Sequence, residues 1–163
     1  MLAFVLCGAE EGAAEDPKPG KDLGIQVTAS AWEQKAHGGW ADFPPERTLD
    51  GDMNQKSSWR AESKDGKGQW IRYDLKTPRK IEAVKLAFVQ GDARKYRIKI
   101  ETSGDGKSWV KTFEGQTSGK TTDFELFSTK GESARYVRVT GYGNTNEKFP
   151  DWINIVETRI VTE

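Results

Sequence analysis

Apolar residues in this chain recur at every second position, in short runs. Val84, Leu86 and Phe88 alternate with Lys85 and Ala87; Ile98, Ile100 and Thr102 alternate with Lys99 and Glu101; Val137 and Val139 flank Arg138. A period of two sends alternate side chains to opposite faces of an extended backbone, so each run predicts a half-buried antiparallel strand. Trp70-Ile71-Arg72-Tyr73 predicts another, and Val27 to Ser30 the first. Turn chemistry separates the runs at Ser103-Gly104-Asp105-Gly106, Ser118-Gly119-Lys120, Lys130-Gly131-Glu132 and Gly141-Tyr142-Gly143-Asn144. No stretch keeps a helical period for three turns. Short strands at this spacing, without helices between them, predict an all-β antiparallel sandwich or a related barrel.

Length and charge narrow the picture. A chain of 163 residues suits one domain, expected over residues 23–163, behind a leader remnant and flexible linker over residues 1–22. Residues 1–8 resemble the end of a secretory apolar region, which predicts a secreted protein, extracellular or periplasmic. Lipid attachment at Cys7 is disfavoured by the bulky Leu6 before it, and an incidental cysteine is the other reading. EEGAAEDPKPGKD at residues 10–22 is polar and rich in Pro and Gly, as solvated linkers are. Lys plus Arg and Asp plus Glu each number 25, so no net field steers the domain toward nucleic acid or an anionic membrane. The basic run Arg94, Lys95, Arg97, Lys99 is divided by strand alternation, with Arg97 and Lys99 outward and Ile98 and Ile100 inward. Such a solvated basic face would favour an anionic glycan over a neutral one. No apolar stretch approaches the roughly 20 residues of a membrane span.

Candidate chemistry is sparse. Thr48-Leu49-Asp50-Gly51-Asp52 sets carboxylates and main-chain carbonyls around one tight turn, as a calcium site requires. The plainer alternative is a turn in which Asp50 caps its own backbone. His37 is the single histidine and no cysteine is near it, so no catalytic zinc site is expected around it. Carboxylates such as Glu114, Asp123, Glu125 and Asp151 are plentiful, but no nucleophile motif or phosphate loop accompanies them, and a non-catalytic domain is expected.

The segments TASAWE, TLDGDMNQKSSWRAE, GQWIRYDL, VKLAFVQGDARKYRIKIETSGDGKSW, ARYVRVTGYGN and WINIVETRI, in this order, resemble the discoidin superfamily, the coagulation-factor type C or galactose-binding-like fold. The resemblance covers residues 24–163 and is nearest to bacterial family 32 carbohydrate-binding modules attached to secreted polysaccharide lyases and other glycan-degrading enzymes. It implies a jelly-roll sandwich that binds a polysaccharide or oligosaccharide and targets an appended catalytic domain outside this chain. It also implies a structural Ca2+ held by Thr48, Asp50 and Asp52, completed by Ser57 and Glu157. The implied ligand surface lies at one end of the sandwich on four loops, which carry His37 and Trp40, Glu62, Gln90 and Arg94, and Tyr142, Asn144 and Asn146. Arg94 has a planar five-donor fork suited to paired hydroxyls or a uronate carboxylate, a surface ion pair with Asp92 being its plainer use. Trp40 either stacks on a sugar or plugs the sandwich end, and His37 either meets a sugar or stands in water. Trp59, Trp70 and Trp109 are expected in the core. Other members of the fold bind proteins or phospholipids, for which Phe43 and Phe149 would be the apolar spikes.

Overall fold

The structure, a computed structural model, describes residues 24–35 and 41–163. The leader and linker expected over residues 1–22, with His37 and Trp40, lie outside the described residues. Seven strands follow: β1 (Gln26–Ala29), β2 (Trp59–Glu62), β3 (Gln69–Phe88), β4 (Tyr96–Ser103), β5 (Val110–Gln116), β6 (Glu125–Asn144) and β7 (Trp152–Thr162). Two 3-10 turns, Pro45–Leu49 and Lys64–Gly66, lie between β1 and β3. The all-β expectation holds, and every strand pair is antiparallel.

Two long strands make the two layers. β3 and β6 have 20 residues each and pair from Gln69 opposite Gly141 to Leu86 opposite Glu125. Their register slips twice: between Asp74 and Arg79, where Lys76 takes a left-handed backbone (φ 69°), and between Ile81 and Ala83, opposite Lys130 and Gly131 of β6 with the same backbone (φ 65° and 67°). These two breaks in the ladder let both strands turn a corner. Before the corner β3 pairs with β1, and the matching part of β6 pairs with β4, which carries β5 at the edge. Beyond it β3 pairs with β7, and β7 pairs with β2. Ile71, Tyr73, Ile98, Ile100, Val137 and Val139 from the first half meet Trp59, Val84, Leu86, Ile153 and Ile155 from the second in one buried cluster.

Alternation accounts for the tryptophans. Trp59 is fully buried, its indole N–H donating to the Ala31 carbonyl at 2.9 Å. Trp70 and Trp109, expected beside it, are half-buried on the outside of the first layer instead. Ile71 and Tyr73 take the inward positions of β3, so Trp70 and Arg72 must face out. The Arg72 guanidinium stands 5.8 Å from the Trp70 ring centroid, and Arg138 lies 4.0 Å over Trp109. These guanidiniums shield the indoles that the core does not take. Ile98 and Ile100 point inward and Arg97 and Lys99 outward, as the period of two predicts.

Candidate functional site

The edge formed by β2 and β7 builds a pocket. Their register sets Trp59 opposite Ile155, Arg60 opposite Asn154, Ala61 opposite Ile153 and Glu62 opposite Trp152. The apolar pairs face the core, so Arg60, Asn154 and Trp152 project from the other face. The segment after β1 folds over them. Glu33 N–H donates to the Arg60 carbonyl (2.8 Å), Arg60 N–H to Phe43 (3.3 Å) and Phe43 N–H to Glu33 (2.9 Å). Glu33 Oε2 lies 3.1 Å from Arg60 Nη1, and the same guanidinium lies 4.0 Å over the Phe43 ring.

The segment between β3 and β4 closes the other side. Val89 N–H donates to the Asn154 carbonyl at 3.2 Å, and the N–H groups of Ala93 and Arg94 both donate to Gln90 O, at 2.9 and 3.0 Å. That single turn brings the Gln90 and Arg94 side chains together, and Arg94 Nη2 donates to Gln90 Oε1. Beneath them Tyr96 is buried, its hydroxyl donating to Val89 O at 2.8 Å. Burial pushes the Tyr96 phenol up to about 12, against the opposing pull of the Arg94 charge beside it. The resulting pocket has a volume of about 510 Å³ and is completed by Val89 and the exposed Phe149.

Its chemistry is unfinished within the protein. Nε of Arg60, Nε of Arg94 and Oδ1 of Asn154 are buried and lack hydrogen-bond partners, and Asn154 as a whole is only 6% exposed. A buried polar atom left unpaired costs about 1–3 kcal/mol. The three residues that hold these atoms line one space together with Trp152 and Phe149. A ligand with its own acceptors, hydroxyl donors and a hydrophobic face would suit this lining.

The expected ligand residues divide. Gln90 and Arg94 line the pocket. Glu62 stands outside it, 3.4 Å from Lys64. Tyr142 is half-buried over Gly68, where a β-carbon would come within 2.8 Å of its ring. Asn144 must be corrected from ligand contact to scaffold: it is 1% exposed, and its amide donates to Phe149 O (2.9 Å) and Trp152 O (2.7 Å). Its Oδ1 accepts the Asn146 N–H at 2.7 Å. Asn146 in turn accepts the N–H groups of Lys148 and Phe149 at 3.0 and 3.2 Å, shaping the loop that carries Phe149. Sequence reasoning missed Glu33, Arg60, Trp152 and Asn154. The alternation in WRAE and WIN held a signal, since polar or amphipathic residues occupy the outward positions of both strands.

The expected metal ligands form a loop of local turns. Asp50 Oδ1 accepts Asp52 N–H (2.8 Å), Asp50 Oδ2 accepts the Ser57 hydroxyl (2.5 Å), and Asp52 Oδ1 accepts Asn54 N–H (2.8 Å). The Thr48 hydroxyl is committed to Pro45 O (2.8 Å) and Tyr73 (3.0 Å), so only its carbonyl could serve a cation. Glu157 is fully buried; Oε2 accepts Gly51 N–H at 3.2 Å, and Oε1 has no partner. Burial pushes the Glu157 carboxyl up to about 8; the Gly51 N–H lowers it, and the charges of Asp50 and Asp52 raise it further. Among the described residues no group of three or more His, Cys, Asp or Glu is gathered into a metal cage. The donors are nonetheless all oxygens, and the orphaned Glu157 oxygen beside two carboxylates is what a hard cation relieves, so the residue types fit calcium.

The sequence profile of the F5/8 type C domain matches residues 26–157. The chain belongs to the F5/8 type C, or discoidin-like, family. This F5/8 type C domain is similar to a family 32 carbohydrate-binding module of AlyQ solved in complex with 4,5-unsaturated mannuronic acid. The two are 33% identical, the match covers 83% of this chain and 93% of that one, and the TM-score is 0.71. A pectin-binding carbohydrate-binding module is 26% identical, with 84% and 89% of the two chains covered and a TM-score of 0.70. The family 32 module of NanJ from Clostridium perfringens, solved with galactose, is 14% identical over 83% of this chain and 92% of that one, with a TM-score of 0.65. At that identity it shares the fold alone. No curated protein sequence matches the chain. As a member of this family with family 32 neighbours, the F5/8 type C domain is a carbohydrate-binding module.

Proposed function

We propose that the domain holds an acidic polysaccharide at the pocket between Glu33, Arg60, Arg94 and Trp152, and so targets a secreted activity to that polymer. The observation that carries this reading is that Arg60 and Arg94 line one pocket with Asn154 and Trp152, each of the three polar residues keeping a buried side-chain atom without a hydrogen-bond partner. A uronate supplies a carboxylate for the donors and hydroxyls for the acceptor, and an indole accepts the apolar face of its ring. The mannuronic acid in the 33% identical neighbour supports the same ligand class. We include in this proposal a structural Ca2+ at Asp50, Asp52, Ser57, Glu157 and the Thr48 carbonyl. One pocket binds a single chain weakly, so avidity through several modules or a catalytic partner would set the working affinity.

Titrating the folded domain with oligouronates and with neutral galactosides tests the reading. Uronate binding that Trp152→Ala abolishes is expected; binding of neutral sugars alone would refute it. Adhesion to a lipid surface finds less support, because Phe43 is only 7% exposed beneath Arg60 and Phe149 stands as a single apolar spike. Co-sedimentation with vesicles in the absence of any glycan binding would favour it.

A further inference from the structure

Among the described residues, three ionisable side chains line the pocket: Glu33, Arg60 and Arg94. Two cations and one anion leave it one positive charge. Arg60 already shares that charge with Glu33 at 3.1 Å, whereas Arg94 is held by the neutral Gln90 amide. Glu33 has little freedom to withdraw: its own N–H and carbonyl are bonded to Arg60 O and Phe43 N–H, and its side chain is 16% exposed. A carboxylate so fixed keeps its field in the pocket when a ligand displaces water, and a low local dielectric strengthens that field.

We propose that Glu33 is a specificity-determining residue that restricts the site to sugars carrying one negative charge. The inference rests on the uronate reading of the pocket. One carboxylate is balanced by Arg94 with the unshared donors of Arg60. A second anionic group on the same sugar, such as an O-sulfate on a uronate, finds no third cation among the described lining residues and meets Glu33, and like charges brought together without water repel. Neutral sugars are indifferent to this field. The pocket therefore discriminates by charge count as well as by charge sign.

Glu33→Gln tests this directly, because the amide can still accept the Arg60 hydrogen bond while the charge is lost. Calorimetric titrations of the full chain would use an oligouronate, its O-sulfated counterpart and a neutral oligosaccharide, at low and high salt. Glu33→Gln should bind the plain uronate about fivefold tighter, close to 1 kcal/mol at 1.4 kcal/mol per tenfold. It should bind the sulfated uronate at least about tenfold tighter and change the neutral sugar least of the three, with both gains shrinking in high salt. If Glu33→Gln weakens all three alike, or leaves the ratio of sulfated to plain uronate as in the wild type, Glu33 is no filter. Should the variant fail to fold, the wild type still decides the matter: it must prefer the plain uronate over the sulfated one by about tenfold, and equal binding overturns the proposal. A wild type that binds no uronate at all removes the reading of the pocket together with the filter, whereas uronate binding with unchanged selectivity in Glu33→Gln removes the filter alone.

Discussion

Replacing Arg94 by alanine separates recognition from stability. The main chain of residues 90–94 is held by the Gln90 carbonyl, which accepts the N–H groups of Ala93 and Arg94, and the side chain is only half-buried. The turn should survive the substitution, with unfolding free energy within about 0.5 kcal/mol of the wild type. Binding should not survive. A hydrogen bond to a charged group contributes about 1.5–3 kcal/mol, against about 0.5–1.5 for a neutral one. Arg94→Ala should therefore weaken an oligouronate about 10- to 150-fold and a neutral sugar by tenfold or less. Arg94→Lys should restore only part of the uronate affinity, since an ammonium cannot grip a carboxylate with two parallel N–H groups. Titration calorimetry measures the affinities and urea unfolding checks the fold. Equal uronate affinity in the wild type and Arg94→Ala, with both folded, would show that the carboxylate lies elsewhere.

Three further outcomes follow from the same structure. Arg135 grips Asp74 through two bonds of 2.8 and 2.9 Å, which chiefly lowers that carboxyl from its ordinary 3.8 to about 2. This contribution to the fold is fully present above about pH 5 and is lost as pH falls toward 2. Urea unfolding of Asp74→Asn should show lower stability than the wild type at pH 7 and converge with it near pH 2. Asn144→Ala deletes three part-buried hydrogen bonds of a buried side chain and should cost about 2–4 kcal/mol, read as a fall in Tm of about 5–15 °C. Excess EDTA should lower the Tm of the calcium-loaded domain by several degrees, and an unchanged melting curve would remove the ion from the proposal.

How far the molecule can be read from its residues differs between scaffold and site. Ile71, Tyr73, Ile98, Ile100, Val137 and Val139 are inward in the structure as their alternation predicts. Trp70 and Trp109 show the limit of assigning bulky aromatics to a core by type, because their positions in the alternation send them out and cationic neighbours cover them. The family resemblance places Gln90 and Arg94 on a ligand loop, and the structure sets both in one turn at the pocket. Asn144 misled because an asparagine in a glycine-rich segment serves equally as a sugar contact or as a buried loop brace, and only the carbonyls of Phe149 and Trp152 decide which.

The residues alone determined which positions face in and which face out along each strand, where the chain turns, and hence an antiparallel β-sandwich. Those are local properties: steric alternation and turn chemistry act between neighbours a few positions apart. The pocket is a property of pairing. Glu33, Arg60, Arg94 and Asn154 lie as many as about 120 positions apart, and they meet because β2 pairs with β7 in one register while two separate segments fold across that edge. A slip of β2 by one residue against β7 would turn Arg60 into the core and away from Asn154. Burial, which leaves three of their polar atoms unpaired, and the count of charges facing one another arise only once those distant surfaces are closed together.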